Sequence, residues 1–230
     1  MEQRMINVST TSDVGAARNR VLRNTYALLG LSMVPTLLGA WLGIQMHFSA
    51  LFAGSPAMSF VIFLAVAFGF FFAIERFKNS PIGVALLLAF TFFMGLMLSR
   101  ILQFTLGFSN GGQLIALAAG GTGVIFLGMA TLATTIKRDL SGMGKFLFIG
   151  VLLLLAASFA NIFLQVPAMF LTISVLVCAV FTAYLMYDIN RVVTGGETNY
   201  ITATLAIYLD LYNIFQSLLS ILGFLGGNRD

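Results

Sequence analysis

Seven long apolar segments, separated by short polar breaks, dominate the sequence. Each is close to the roughly 20 apolar residues that a membrane-crossing helix needs. The breaks carry turn residues, as in Asn79-Ser80-Pro81 and Asn110-Gly111-Gly112. The segments are 24–45, 58–74, 82–106, 113–136, 146–164, 168–187 and 201–225. The pattern predicts an all-α transmembrane protein, with one membrane domain over 24–226 behind a polar cytoplasmic tail at 1–23.

The seventh segment is far more polar than the other six. A helix that faced lipid would not carry so many hydrogen-bonding side chains. We therefore expect a seven-helix bundle whose central, polar seventh helix is surrounded by the other six. Composition leaves open whether this segment crosses fully or re-enters. Its polar residues are Thr202, Thr204, Asp210, Asn213, Gln216, Ser217 and Ser220.

Composition and charge support the membrane assignment and give an orientation. The chain is 59% hydrophobic and 9% charged, whereas soluble domains are about 25% charged. With the N-terminus in the cytoplasm, all of the twelve lysines and arginines except Arg100 and Arg229 lie on the cytoplasmic side. This predicts a multi-pass protein of the bacterial inner membrane. The net charge of +4 then reflects topology, and no nucleic-acid partner is expected.

Several kinds of chemistry are excluded by the residues present. His47 is the single histidine and lies in an outer loop, so a His-x-x-x-His zinc site is impossible. The glycine-rich stretch at 120–123 is not followed by Gly-Lys-Ser/Thr, so it is no phosphate loop. Asp210 lacks the Gly-x-Gly-Asp context of intramembrane aspartyl proteases. We expect neither enzymatic activity nor a cofactor.

Two carboxylates near the C-terminus are the strongest candidates for function. Asp188 lies at the cytoplasmic end of the sixth segment, and Asp210 lies roughly 13 Å into the seventh. The short connection makes these helices antiparallel neighbours, so both residues fall in the cytoplasmic half. Carboxylates that meet in a low dielectric tend to share one proton, which makes a pH-sensitive latch. Deprotonated, the pair would offer oxygen ligands to Ca²⁺.

Each of these residues also has a purely structural interpretation. Asp188 would then be an interfacial residue, and Asp210 a structural hydrogen-bond partner. The nearest candidate counter-charges, Arg76 and Lys78, would be solvated loop charges. The supporting polar residues of the candidate site are Asn213, Glu197, Asn199 and Asn161.

The motifs around these aspartates resemble the Bax-inhibitor (TMBIM) family, in its bacterial YccA-like branch. The resemblance extends over essentially the whole chain, including Val21-Leu22-Arg23-Asn24-Thr25-Tyr26 and Asn161-Ile162-Phe163-Leu164-Gln165. The most specific stretches are Tyr187-Asp188-Ile189-Asn190, Gly195-Gly196-Glu197-Thr198-Asn199-Tyr200-Ile201 and Ala206-Ile207-Tyr208-Leu209-Asp210-Leu211-Tyr212-Asn213-Ile214-Phe215.

The resemblance implies a seven-helix fold wrapped around helix seven, and two possible activities. In the family at large, an aspartate pair on helices six and seven gates a pH-sensitive Ca²⁺ leak, together with an arginine near the end of helix two. Asp188 and Asp210 match the pair; Arg76 matches the arginine best, with Lys78 as the alternative. The YccA-like branch implies instead a protein that binds and inhibits the membrane protease FtsH. The expected partners are therefore the bilayer, Ca²⁺ and protons, and the FtsH complex.

Overall fold

Seven long helices make up nearly the whole chain in the computed structural model. It describes the backbone of residues 2–48, 56–136 and 138–227, and the side chains of these except 2–14 and 56. Each of the seven helices is long and apolar enough to cross a membrane. They are α1 (Glu2–Gln45), α2 (Pro56–Phe77), α3 (Pro81–Leu106), α4 (Gly111–Thr135), α5 (Gly144–Leu164), α6 (Pro167–Thr194) and α7 (Tyr200–Gly226). The predicted all-α membrane fold is confirmed, and α7 extends over a full membrane-spanning length.

Proline positions explain where several helices begin. Pro56, Pro81 and Pro167 each stand at the start of a helix, where the missing N–H would have had no partner. Pro35 is the exception, because it lies inside α1. That helix runs back to Glu2 without a break, through the polar segment predicted as a tail.

The tightest helix pair is α1 with α3, which approach each other at glycines. A Cβ on Gly39 would lie 2.2 Å from the Phe92 carbonyl oxygen. A Cβ on Gly95 would lie 2.1 Å from the carbonyl oxygen of Thr36. Small residues at these positions let the two backbones come into contact, as is usual in membrane bundles.

Helix α7 lies inside the bundle, as its polarity predicts. It packs against α6, α4, α1 and α3, and more sparsely against α2. Tyr208 is fully buried, and its hydroxyl lies 2.9 Å from the Thr36 hydroxyl of α1. The Tyr212 hydroxyl donates to the Met94 carbonyl of α3 at 3.3 Å. These bonds satisfy the hydroxyl groups of Tyr208 and Tyr212.

Helix α5 lies at the edge of the bundle. It packs mainly against α6 and makes few contacts with α2. No residue of α5 is buried. Because nearly all of its side chains are apolar, α5 is suited to the lipid-facing edge of the bundle.

Candidate functional site

Asp188 and Asp210 meet inside the bundle, near the end where α6 leads into α7. Helix α6 runs to Thr194, seven residues beyond the predicted end, so Asp188 lies within it. The side chains are almost inaccessible, since Asp188 is 9% and Asp210 3% exposed. Their carboxyl groups lie within hydrogen-bonding reach of each other. Among the described residues, Asp210 Oδ2 has no hydrogen-bond partner.

The cation beside the pair is Arg191, a residue that the sequence analysis missed. Its guanidinium Nη1 lies 3.6 Å from Asp188 Oδ1, and its Nη2 lies 3.8 Å from Glu197 Oε2. The same guanidinium lies 5.6 Å from the ring centroid of Tyr187. The sequence did hold the signal, because Arg191 follows Asp188 by three residues, one helical turn along the same face.

Neither predicted counter-charge forms an ion pair with Asp188 or Asp210 in the part of the chain that the structure describes. Lys78 pairs with the carboxylate of Glu75, three residues earlier in the chain. This hydrogen bond raises the pKa of the Lys78 ammonium above its ordinary value. Arg76 is exposed in the last turn of α2. A role for Arg76 or Lys78 as a counter-charge to the aspartates stays a prediction.

Glu197 and Asn199 organise the connection between α6 and α7. Gly195 ends α6 with φ of 85°, a left-handed conformation that favours glycine. Glu197 Oε1 then accepts from the Asn199 backbone N–H at 2.9 Å. Asn199 caps α7, since its Oδ1 accepts from the N–H groups of Ile201 at 2.9 Å and Thr202 at 3.3 Å.

Asn199 also ties this connection to the turn between α2 and α3. Its Nδ2 donates to the Lys78 carbonyl and to Asn79 Oδ1, both at 2.9 Å. The predicted supporting residues Glu197 and Asn199 therefore lie at the site, where they hold three helix ends together.

Asn190 is a second residue whose role the sequence analysis missed. It is fully buried, and its Nδ2 lies 3.3–3.4 Å from three carbonyl oxygens at the end of α4 and just after it. Its Oδ1 accepts from the Leu140 N–H at 3.2 Å. One side chain thus satisfies helix-end carbonyls of α4 and fixes the segment that leads to α5. Asp188 is two residues away on the same helix.

The remaining predicted polar residues do not join the aspartates. Asn213 Nδ2 donates to the Leu209 carbonyl of its own helix at 2.8 Å. Asn161 Oδ1 accepts from the Val166 N–H at 3.1 Å, in the turn between α5 and α6. That turn lies at the opposite end of the bundle from Asp188. Asn161 therefore acts locally, since its side-chain oxygen accepts from a backbone N–H of the turn that follows α5.

The acidic pair suits brief contact with a cation better than firm retention. Among the described residues, no group of three or more His, Cys, Asp or Glu side chains is placed to hold a metal ion. Two carboxylates supply about four oxygens, whereas tight Ca²⁺ sites use six to eight.

Comparisons with known proteins agree on one family. Residues 18–228 match the family described as inhibitor of apoptosis-promoting Bax1. An uncharacterized protein of Neisseria meningitidis is 39% identical, over 92% of this chain and 93% of that protein. An uncharacterized membrane protein of Vibrio cholerae is 38% identical, over 91% and 92%. The Escherichia coli protein named modulator of FtsH protease YccA is 37% identical, over 90% of each chain.

Proposed function

This chain belongs to the Bax-inhibitor family, and we propose that it is a non-enzymatic membrane protein that leaks cations, Ca²⁺ among them, under the control of protonation at Asp188 and Asp210. The observation that carries the proposal is the contact between two buried carboxyl groups on adjacent helices, one of which has an oxygen without a partner. Ionisable residues are costly inside a membrane and usually serve transport or proton sensing.

In the proposed closed state, one proton shared between the carboxyls links α6 to α7. Loss of that proton leaves two negative charges in contact. Their repulsion is on the order of 4 kcal/mol at 4 Å in a partly screened environment, which is enough to shift a two-state equilibrium strongly. The ionised pair also attracts a cation. We therefore expect conduction to increase as the pH rises.

Arg191 tunes this latch in the proposed mechanism. Its guanidinium bridges Asp188 and Glu197, so it favours the ionised form of Asp188 and ties it to the α6–α7 connection. Arg191→Gln removes that charge while keeping a polar side chain. We expect conduction in this variant to begin at a higher pH than in the wild type.

The chain is a multi-pass protein of the inner membrane, and its proposed orientation has the N-terminus in the cytoplasm. The distribution of lysine and arginine supports this orientation. It places the aspartate pair in the cytoplasmic half and Arg100 near the periplasm. Labelling of single introduced cysteines in intact cells tests it, because a cysteine at Ser141 should be protected from an impermeant reagent in this orientation.

A second function, modulation of the membrane protease FtsH by direct interaction, is favoured by one comparison. The Escherichia coli relative that covers 90% of this chain carries that name. The corresponding experiment measures co-purification with FtsH and the half-life of an FtsH membrane substrate on overexpression. An unchanged half-life with no co-purification would exclude this function.

The aspartates separate the two functions. The double variant Asp188→Asn, Asp210→Asn preserves side-chain size but removes both ionisable groups. Cation leak should be lost in this variant, whereas binding to a protease should survive. If a folded variant loses both cation leak and protease binding, the pair supports the conformation of the whole protein and is not specific to a conduction path.

A further inference from the structure

A deep crevice separates two pairs of helices on one side of the bundle. It measures about 1000 Å³, with α2 and α3 on one wall, α5 and α6 on the other, and α7 as its floor. Towards the aspartate end, its lining is almost entirely apolar and rich in phenylalanine. The rings there are those of Phe68, Phe71, Phe90, Phe148 and Phe181.

The opposite end of the crevice has a different chemistry. Polar lining residues are concentrated in the halves of the helices that lie far from Asp188. They include Arg100, Asn161, Gln165, Gln216 and Ser220. Phenylalanines line the crevice at both ends, Phe60 and Phe170 among them near Arg100, so the difference along the membrane normal lies in the hydrogen-bonding groups.

Arg100 is the charge at the polar end, and no described carboxylate neutralises it. It is exposed at the edge of the crevice, six residues before the end of α3. The ion pairs found among residues 15–48, 57–136 and 138–227 involve only Lys78 and Arg191 as cations. Of the acidic residues in the sequence, those within the described part lie towards the other end of the bundle.

We propose that this crevice binds an anionic phospholipid from the leaflet at the Arg100 end, with its headgroup phosphate at Arg100 and an acyl chain among the phenylalanines. The distance along α3 from Arg100 to Phe90 is about 15 Å, which equals the depth of one leaflet of a hydrocarbon core about 30 Å thick. Sparse contact between α2 and α5 leaves the crevice open to the bilayer from the side. The site is separate from the aspartate pair and does not depend on its function.

Charge complementarity selects the lipid class. A single arginine near a membrane surface attracts an anionic headgroup with an energy that corresponds to about a fivefold preference. The apolar end of the crevice should instead bind any acyl chain of suitable length. Headgroup preference and total lipid retention are therefore expected to respond to different substitutions.

The test is native mass spectrometry of the full chain released from detergent, after incubation with phosphatidylglycerol or phosphatidylcholine of identical acyl chains. The wild type should retain phosphatidylglycerol about fivefold more than phosphatidylcholine. Arg100→Gln should bring this ratio close to one, and Arg100→Lys should keep it. Lys145→Gln is the matched charge control, because Lys145 lies in the first turn of α5, at the end of the bundle away from Arg100. It should leave the ratio unchanged.

A second pair of variants tests the position of the acyl chain. Ser158 lines the crevice, whereas Leu153 of the same helix is exposed outside it. Ser158→Trp should reduce retention of both lipids, and Leu153→Trp should not. The proposal is wrong if the wild type retains the two lipids equally, if Arg100→Gln keeps the preference, or if Ser158→Trp retains as much lipid as Leu153→Trp. A second protein mass in place of lipid would likewise overturn it.

Discussion

Replacement of Asn190 by alanine should cost more stability than the loss of any other single amide at the site. The side chain is fully buried and has four polar neighbours at 3.2–3.4 Å. These bonds are long, so each contributes near the lower end of about 0.5–1.5 kcal/mol. Their joint loss, together with the buried groups left without partners, should destabilise the protein by about 2–4 kcal/mol.

Thermal unfolding in detergent, followed by size-exclusion chromatography with fluorescence detection, measures this effect. For a chain of this length, 1 kcal/mol lowers the melting temperature by about 2–4 °C, so the Asn190→Ala variant should melt roughly 4–16 °C below the wild type. Asn213→Ala is the matched control, because that amide bonds only within its own helix and is half-buried. If both variants melt at the same temperature, Asn190 does not anchor the end of α4.

Three further predictions concern packing, capping and a surface carboxylate. Gly95→Ala should separate α1 from α3 and lower the melting temperature, because its Cβ would lie 2.1 Å from a carbonyl oxygen; Gly120→Ala, with nothing within 4 Å, should leave it unchanged. Asn199→Ala removes the cap of α7 and should lower the free energy of unfolding by about 1–2 kcal/mol in a thermal unfolding assay. A loss no larger than that caused by replacing an exposed residue with alanine would refute the capping role. Hydrogen bonds from Ser141 lower the pKa of Asp139 below 3.8, so its contribution to stability is present above that pH and is lost as the pH falls through the lower folded value. Ser141→Ala should move the NMR titration midpoint of the Asp139 carboxyl back up, and an unmoved midpoint would contradict this.

Hydropathy predicted the membrane fold because lipid imposes a simple length rule. The seven spans follow from apolar runs, and three of the four prolines stand at helix starts. The central position of α7 followed from its polarity. Hydropathy did not predict that α5 lies at the edge of the bundle. A helix that is apolar almost all round has no distinct polar or buried face that would indicate its neighbours.

Within the site, the sequence indicated the aspartates but not their partners. A charged residue inside an apolar run stands out, which is why Asp188 and Asp210 were found. Arg191 was missed because the predicted sixth helix ended at 187, before the turn that brings it beside Asp188. The contacts of Asn190 span fifty or more positions in the chain, and only the tertiary structure brings those groups together.

The most direct test of the proposed function is Ca²⁺ uptake into proteoliposomes at an acidic and an alkaline pH. Wild-type protein should exceed empty liposomes, with more uptake at the alkaline pH. Asp210→Asn should stay low at both, because its neutral amide can bond Asp188 whatever the pH. Uptake equal to that of empty liposomes at both pH values, or unchanged pH dependence in Asp210→Asn, would contradict the proposed role of the aspartate pair.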